Sequence, residues 1–222
     1  MIISHSIRFN STNLLLLQPS PKEMAEKKRA ENLPLEFKLV SADEVPLTHA
    51  IEIQEYPETE AASLENLLFR QNAAPELFLG CYLRKDDNQG SPTSIHPNSN
   101  STNTSLELVG YIVSTLVIGD HLTHSSMSSH DPSGDTVCIH SVCVSNAFQR
   151  RGIATRLLRE YLQHLQILNN NAHASKKLKR VLLIAHEHTI GLYAGVGFVF
   201  VGKSSVEHGP DPWFEMVYTL EY

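Results

Sequence analysis

Only three cysteines occur in this 222-residue chain, Cys81, Cys138 and Cys143, and no two stand in C-x-x-C spacing. An odd, scattered set argues against a disulfide scaffold and fits a reducing intracellular compartment. No apolar run reaches the roughly 20 residues that a membrane-spanning helix needs, so no membrane partner is expected. Basic residues are outnumbered, 18 Lys and Arg against 24 Asp and Glu, for a net charge of −6. That balance disfavours a nucleic-acid surface and favours cationic substrates. The first 22 residues hold no acidic side chain. With Arg8, Lys22 and the leucine run 14–17, they read as a flexible tail or a mitochondrial-type leader, and Met24 offers a second start. The cytoplasm is the expected location, with the leader as the alternative. No internal repeat is present.

With 41% hydrophobic residues the chain can bury one sizeable core, so a single domain over 36–222 is expected behind a tail spanning 1–35. Residues 37–40 read as a first strand. Ser41-Ala42-Asp43-Glu44 is a helix-start signal, the helix runs on to Glu55, and Pro57 breaks it. A second helix is expected over 61–71. Segments 77–84 and 106–116 are apolar and β-rich, and predict neighbouring strands. Between them, 85–105 is rich in Asn, Ser, Pro and Gly and reads as a floppy hairpin insertion; 119–135 is a second polar loop. His121, His124 and His130 sit in that loop as solvated side chains, and no metal is expected. Segments 137–144 and 181–185 predict strands, 189–194 a short helix ending near Gly195 and Gly197, and 214–222 a final strand. Strands and helices in this order argue a mixed α/β sheet.

The most informative stretch runs through Val142-Cys143-Val144 to Gln149-Arg150-Arg151-Gly152-Ile153-Ala154-Thr155. A strand enters a short turn bearing Arg and Gly. Apolar residues then recur at Ala154, Leu157, Leu158, Tyr161, Leu162, Leu165 and Leu168, the spacing of a helix laid on a core. A helix N-terminus leaves backbone N–H groups without partners and carries the positive end of the helix dipole, so it suits an anion. Gly152 lets the backbone approach that anion, Ala154 leaves room, and Arg150 and Arg151 add charge. A pyrophosphate is the expected guest. This turn has neither the three spaced glycines of a nicotinamide site nor the Gly-Lys-Ser/Thr of a P-loop. Strand, Q-x-x-G-x-A and helix in this order resemble the acetyl-CoA-binding motif of the GCN5-related N-acetyltransferase (GNAT) superfamily. The resemblance implies a central mixed, mostly antiparallel sheet flanked by helices.

Acetyl transfer from a thioester to an amine requires the amine to shed a proton, the two substrates to be held together, and the leaving thiolate to be protonated. An alkylamine keeps its proton up to a pH of about 10.4, so a base near neutrality helps. His140, on the strand entering the Gly turn, suits that task; by strand parity it shares a face with Cys138, Val142 and Val144. A hydrogen-bonded core histidine is the other reading. Tyr193, on the short helix after the 181–185 strand, is either the acid that meets the departing sulfur or a core aromatic. Neither Cys138 nor Cys143 has the cation and base neighbours of an activated thiol, so direct transfer in a ternary complex is expected.

The stretch from Ile139 to Gly152 resembles the corresponding part of the arylalkylamine (serotonin) N-acetyltransferases. Ala74-Pro75-Glu76-Leu77-Phe78-Leu79-Gly80, Leu192-Tyr193-Ala194-Gly195-Val196-Gly197-Phe198 and Phe214-Glu215-Met216 agree with it. Glu55-Tyr56-Pro57-Glu58-Thr59-Glu60-Ala61-Ala62 is similar to the fungal polyamine acetyltransferases of the same branch. The resemblance implies acetyl-CoA as co-substrate and a small arylalkylamine (serotonin, tryptamine or phenethylamine type) or polyamine as acceptor. It implies that Val142, Cys143 and Val144 pair through their backbone with the pantetheine arm. Arg150, Arg151, Gly152, Ile153, Ala154 and Thr155 would cradle the pyrophosphate, and Tyr193 would stand at the thioester sulfur. His140 falls on the second of two relay histidines; Cys138 occupies the first place and is a poorer relay. Val142, Ile184, Trp213 and Glu55 are expected at the amine pocket, where Trp213 either stacks on the amine or caps a loop. Ala61 stands where the animal enzymes carry a pocket proline. Glu55, Glu58 and Glu60 either draw a cationic amine or form a solvated face. Two alternatives stand beside this reading: acetylation of a protein N-terminus or lysine, and a CoA-binding module without catalysis. A monomer or weak dimer is expected.

Overall fold

The computed structural model describes residues 33–86, 104–171 and 177–220. The expected N-terminal tail and most of the 85–105 insertion lie outside the described residues. β1 (Leu35–Leu39) leads to a 3-10 turn at Ala42–Glu44, closed by Ser41 N and Oγ donating to Glu44 Oε2 at 3.0 and 2.8 Å. α1 (Val45–Glu55) follows with a proline in its first turn, and Tyr56, extended before Pro57, ends it. α2 (Leu64–Ala73) begins later than the expected Ala61 because Ser63 caps it, its Oγ accepting from Asn66 N at 3.2 Å.

β2 (Phe78–Asp86) and β3 (Thr104–Val117) pair antiparallel, as expected. The polar loop over 119–135 is not wholly irregular. It contains α3 (His124–Ser128), whose first turn is closed by Thr123 Oγ1 accepting from Ser126 N. β4 (Thr136–Val144), α4 (Ile153–Asn170), β5 (Arg180–Ala185) and α5 (Ile190–Ala194) come next, then β6 (Val199–Lys203) and β7 (Phe214–Thr219). β6 was not foreseen.

The strands form one sheet in the order β1-β2-β3-β4-β5-β7-β6, antiparallel throughout except for β4 beside β5. α4 lays Leu157, Leu158, Tyr161 and Leu165 on one face against Val137, Ile139, Val181 and Leu183, all buried. Burying each such leucine stabilises the fold by about 1.5–3 kcal/mol. On the opposite face, Val45 of α1 and Leu67 of α2 pack with Phe78, Tyr111, Val113 and Cys143. No helix among the described residues is long and apolar enough to cross a membrane.

Two irregularities interrupt the middle of the sheet. β4 and β5 pair over only three rungs, Thr136↔Arg180, Val137↔Val181 and Cys138↔Leu182, after which β5 pairs with β7 and β4 with β3. Beyond Cys138 the two strands therefore diverge. The second is a bulge: Val113 of β3 faces Ser141 and Ser114 faces Ile139, so His140 is the extra residue. It reverses the alternation of β4. Ile139 packs with the α4-side core, yet after the bulge so do Val142 and Val144, while Cys143 goes to the α1–α2 side. His140 does keep Cys138 as a neighbour, its Nδ1 lying 3.9 Å from Cys138 Sγ. The expected sharing of one face with Val142 and Val144 fails because simple parity cannot register an inserted residue.

Candidate active site

The divergence of β4 and β5 opens a cavity of about 700 Å3, within the range of small-molecule sites. Its walls include Ile139, His140, Ser141 and Val142 of β4, Leu183, Ile184 and Ala185 of β5, and Tyr193 of α5. Residues of the 55–62 and 206–213 segments, among them Glu55, Tyr56, Ala61 and Trp213, add to them, with further residues from α1, α2, α3 and the turn after β5. Of the expected site residues, His140, Val142, Ile184, Tyr193, Trp213 and Glu55 thus meet in one place.

The Gly turn lies at the C-terminal end of β4. Arg150 has φ +58° and Gly152 φ +76°, so the chain doubles back twice within three residues before α4 begins. Glycine adopts this left-handed geometry without the Cβ penalty, but it offers no side chain to cap the helix. Arg156 N is bonded to Gly152 O at 3.1 Å. The amides of Ile153, Ala154 and Thr155 thus precede the first helical donor, Arg156 N. Arg150 and Arg151 are exposed beside them. Uncapped amides, a helix dipole and two guanidinium groups fit a diphosphate.

A pantetheine arm would run along the β5-facing side of residues 142–144. Part of that edge already has partners. Val142 O accepts from Tyr56 Oη at 3.1 Å, and Val144 O from Gln149 Nε2 at 3.0 Å. A carbonyl has two lone pairs, so each can be shared with an amide of the arm. Glu55 takes Asn146 N on Oε1 and Gln149 Nε2 on Oε2, both at 2.6 Å. Although it lines the cavity, both its oxygens are engaged in fastening α1 to the Gly turn.

His140 has both ring nitrogens occupied. Thr115 Oγ1 donates its one proton to Ser129 O at 3.0 Å, so in its 2.8 Å contact with His140 Nε2 it accepts. Nε2 therefore carries the ring proton, and bare Nδ1 faces the Cys138 thiol. Burial, helped by the positive charge of Arg70, holds the imidazole well below its ordinary pKa. Burial also lifts the Cys138 thiol to about 12, against the pull of Arg70, so it stays a neutral thiol, also 3.7 Å from Met127 Sδ. Arg70 lines the cavity too. Its Nη1 is buried with no hydrogen-bond partner among the described residues, and desolvation lowers its pKa.

Tyr193 is buried, stacks edge-on against Phe198 at 5.9 Å, and faces the cavity. Burial raises its phenol above the ordinary value, with the neighbouring Cys143 thiol a secondary cause. Cys143 is itself raised by burial and by Glu52. Glu52 carries a buried carboxylate that sequence reading passed over. Oε1 accepts from Ala62 N at 3.0 Å and Ser141 Oγ at 2.8 Å, while Oε2 accepts from Tyr111 Oη. It joins α1, the 57–62 loop, β3 and β4.

A second group went unread. His186, at the end of β5, lies with Nε2 3.0 Å from Glu60 Oε2 and its ring 3.8 Å from that of Trp213. The pairing spans 126 positions, and no local spacing announces it. Trp213 combines its two expected readings: it lines the cavity, and its Nε1 also donates to His208 O in the loop. The histidines of the 119–135 segment are separately engaged. His121 Nδ1 meets Glu215 Oε1 at 2.8 Å, His130 Nδ1 accepts from Leu116 N at 3.2 Å, and His124 Nε2 accepts from Glu207 N at 3.4 Å.

Residues 103–220 match the acetyltransferase (GNAT) domain family. The serotonin N-acetyltransferase of Mesocricetus auratus is 28% identical over 113 residues, 51% of this chain and 51% of the relative. That of Macaca mulatta is 26% identical over 114 residues, 51% of this chain and 52% of the relative. The chain thus spans about half the length of the curated relatives it matches. Among solved structures, a GNAT-like decarboxylase, GphF, in complex with isobutyryl-CoA superposes with a TM-score of 0.60 at 15% identity, over 84% of this chain and 100% of that one. At such identity the likeness is one of fold.

Proposed function

The chain belongs to the GNAT acetyltransferase family, and from that premise we propose that it transfers the acetyl group of acetyl-CoA directly to the primary amine of a small arylalkylamine or polyamine. The observation that carries this reading is the continuity of three features. A cavity of about 700 Å3 opens between β4 and β5, the unpaired edge of β4 borders it, and the uncapped N-terminus of α4 stands at the end of that edge.

Acetyl-CoA supplies the activated thioester. Amides of Ile153, Ala154 and Thr155, with Arg150 and Arg151, hold its diphosphate, and the backbone of residues 142–144 aligns its arm. Tyr193, kept protonated by burial, serves as the acid for the sulfur. His140 is neutral, the state that a base requires, although its one lone pair, on Nδ1, faces the Cys138 thiol rather than open space. Six carboxylates line the cavity (Glu52, Glu55, Glu60, Glu187, Glu207 and Asp211) against one arginine, Arg70. That balance favours a cationic acceptor, and Trp213 offers a face for an aromatic or cationic one.

CoA release measured with tryptamine, phenethylamine, spermine and a lysine peptide tests the proposal. Turnover is expected with one or more of the small amines. Turnover with the peptide alone moves the assignment to protein acetylation, and none at all, with acetyl-CoA bound, to a binding module.

A further inference from the structure

The amine's first proton has a better acceptor in this cavity than His140. His186 lines the same space directly after β5 has parted from β4. A carboxylate can only accept, so Glu60 Oε2 at 3.0 Å fixes the proton of His186 on Nε2 and leaves Nδ1 with its lone pair. Nδ1 has no hydrogen-bond partner among the described residues. The pair is sheltered, with the His186 and Glu60 side chains 18% and 6% exposed.

Glu60 is held from several sides. Its N donates to Pro57 O at 2.8 Å, and its carbonyl meets His208 Nε2 at 3.2 Å. Gly209 packs so closely that an added Cβ would come 2.8 Å from Glu60 Oε1. Trp213 lies against the His186 ring, tilted by 33°, and is tied back to His208 O through Nε1. A carboxylate that orients an imidazole, whose other nitrogen is free in a substrate cavity, is the arrangement of a positioned general base. His140 lacks it: Thr115, not a carboxylate, holds its Nε2, and its Nδ1 faces the Cys138 thiol at 3.9 Å.

We propose that His186 is the catalytic base that deprotonates the acceptor ammonium and that Glu60 is its positioning residue. This rests on the acetyltransferase reading above. His186 Nδ1 takes one proton from R–NH3+, freeing the nitrogen lone pair to form the N–C bond at the acetyl carbonyl. As the C–S bond breaks, Tyr193 gives its proton to sulfur and recovers the second proton that the nitrogen sheds. The proton on His186 passes to solvent, so the products are amide, CoA thiol and one proton.

The charged and titratable groups that line the cavity with His186 are Glu60 from the 57–62 loop, Glu187 and His188 from its own turn, Glu207, His208 and Asp211 from the 206–213 segment, His124 of α3, Arg70 of α2, Glu52 and Glu55 of α1, and Tyr56, His140 and Tyr193. The test is kcat/KM against pH for the wild type, His186→Gln, Glu60→Gln and Glu60→Asp with an active amine. Acetyl-CoA affinity by calorimetry and melting temperature are followed alongside. His186→Gln is expected to lower kcat/KM by about 100-fold near neutrality with unchanged acetyl-CoA affinity. Glu60→Gln removes the charge that favours the imidazolium, so the acidic limb of the profile should move to lower pH, and Glu60→Asp should restore it. A His186→Gln protein that melts like the wild type and keeps its rate and profile overturns the assignment. Should that variant not fold, an acidic limb unmoved in Glu60→Gln overturns it instead. A wild type that binds acetyl-CoA but acetylates no amine removes the proposed function and this inference together; an active wild type with indifferent variants removes the inference alone.

Discussion

His140 donates through Nε2 to Thr115 and turns a bare Nδ1 to Cys138, a pairing that only the neutral ring sustains. Its pKa in the folded protein lies well below the ordinary value of about 6.5. The unfolded chain therefore binds this proton first as pH falls, and stability rises with pH through that window. The contribution is whole above a pH of about 6.5 and is lost below it, by up to about 1.4 kcal/mol per pH unit. Urea unfolding of His140→Gln between roughly pH 6.5 and 5 should show a flatter slope than the wild type; an identical slope counts against a desolvated neutral ring. Tyr193 makes a kinetic prediction. Tyr193→Phe should lower kcat by about 100-fold while acetyl-CoA affinity stays close to wild type, and an equal loss in both would make the phenol a binding group only.

At the level of elements, the turn before α4 depends on Gly152 at φ +76°. Gly152→Ala should cost about 1 kcal/mol in backbone strain and weaken acetyl-CoA binding measurably by calorimetry, because relieving that strain shifts the amides proposed to hold the diphosphate. This segment was readable in the sequence because strand, turn and helix are contiguous and the apolar period of α4 is regular. The Glu60–His186 pair and the anchoring role of Glu52 were not readable, since their partners meet only once the sheet is assembled. The bulge at His140 escaped because alternation on either side of it looks continuous in sequence. β6 escaped for another reason. It is an edge strand with Val199, Phe200 and Val201 exposed at 64, 49 and 45%, so it carries no inward-outward alternation to read.

Over the whole molecule, a net charge of −6 coincides with a cavity whose charged lining residues are acidic but for Arg70. Both terms attract a polycation over long range, and salt screens them. kcat/KM for spermine should therefore fall steeply as ionic strength rises from about 0.01 to about 0.1 M, and that for tryptamine should fall less. Equal salt dependence would mean that contacts within the cavity, rather than the field, select the acceptor.

Thr136, Val137 and Cys138 provide the whole backbone ladder between β4 and β5. Beyond those rungs the two half-sheets are joined by side-chain packing, with α4 laid across Val137 and Ile139 on one and Val181 and Leu183 on the other. A thioester arm adding its amides beside residues 142–144, as proposed above, would extend that ladder, and at a concentration 100-fold above Kd any such ligand adds about 2.7 kcal/mol to the folded state. Occupancy should be written into the melting curve, and into slower amide exchange on both flanks of the cleft, before any product is formed.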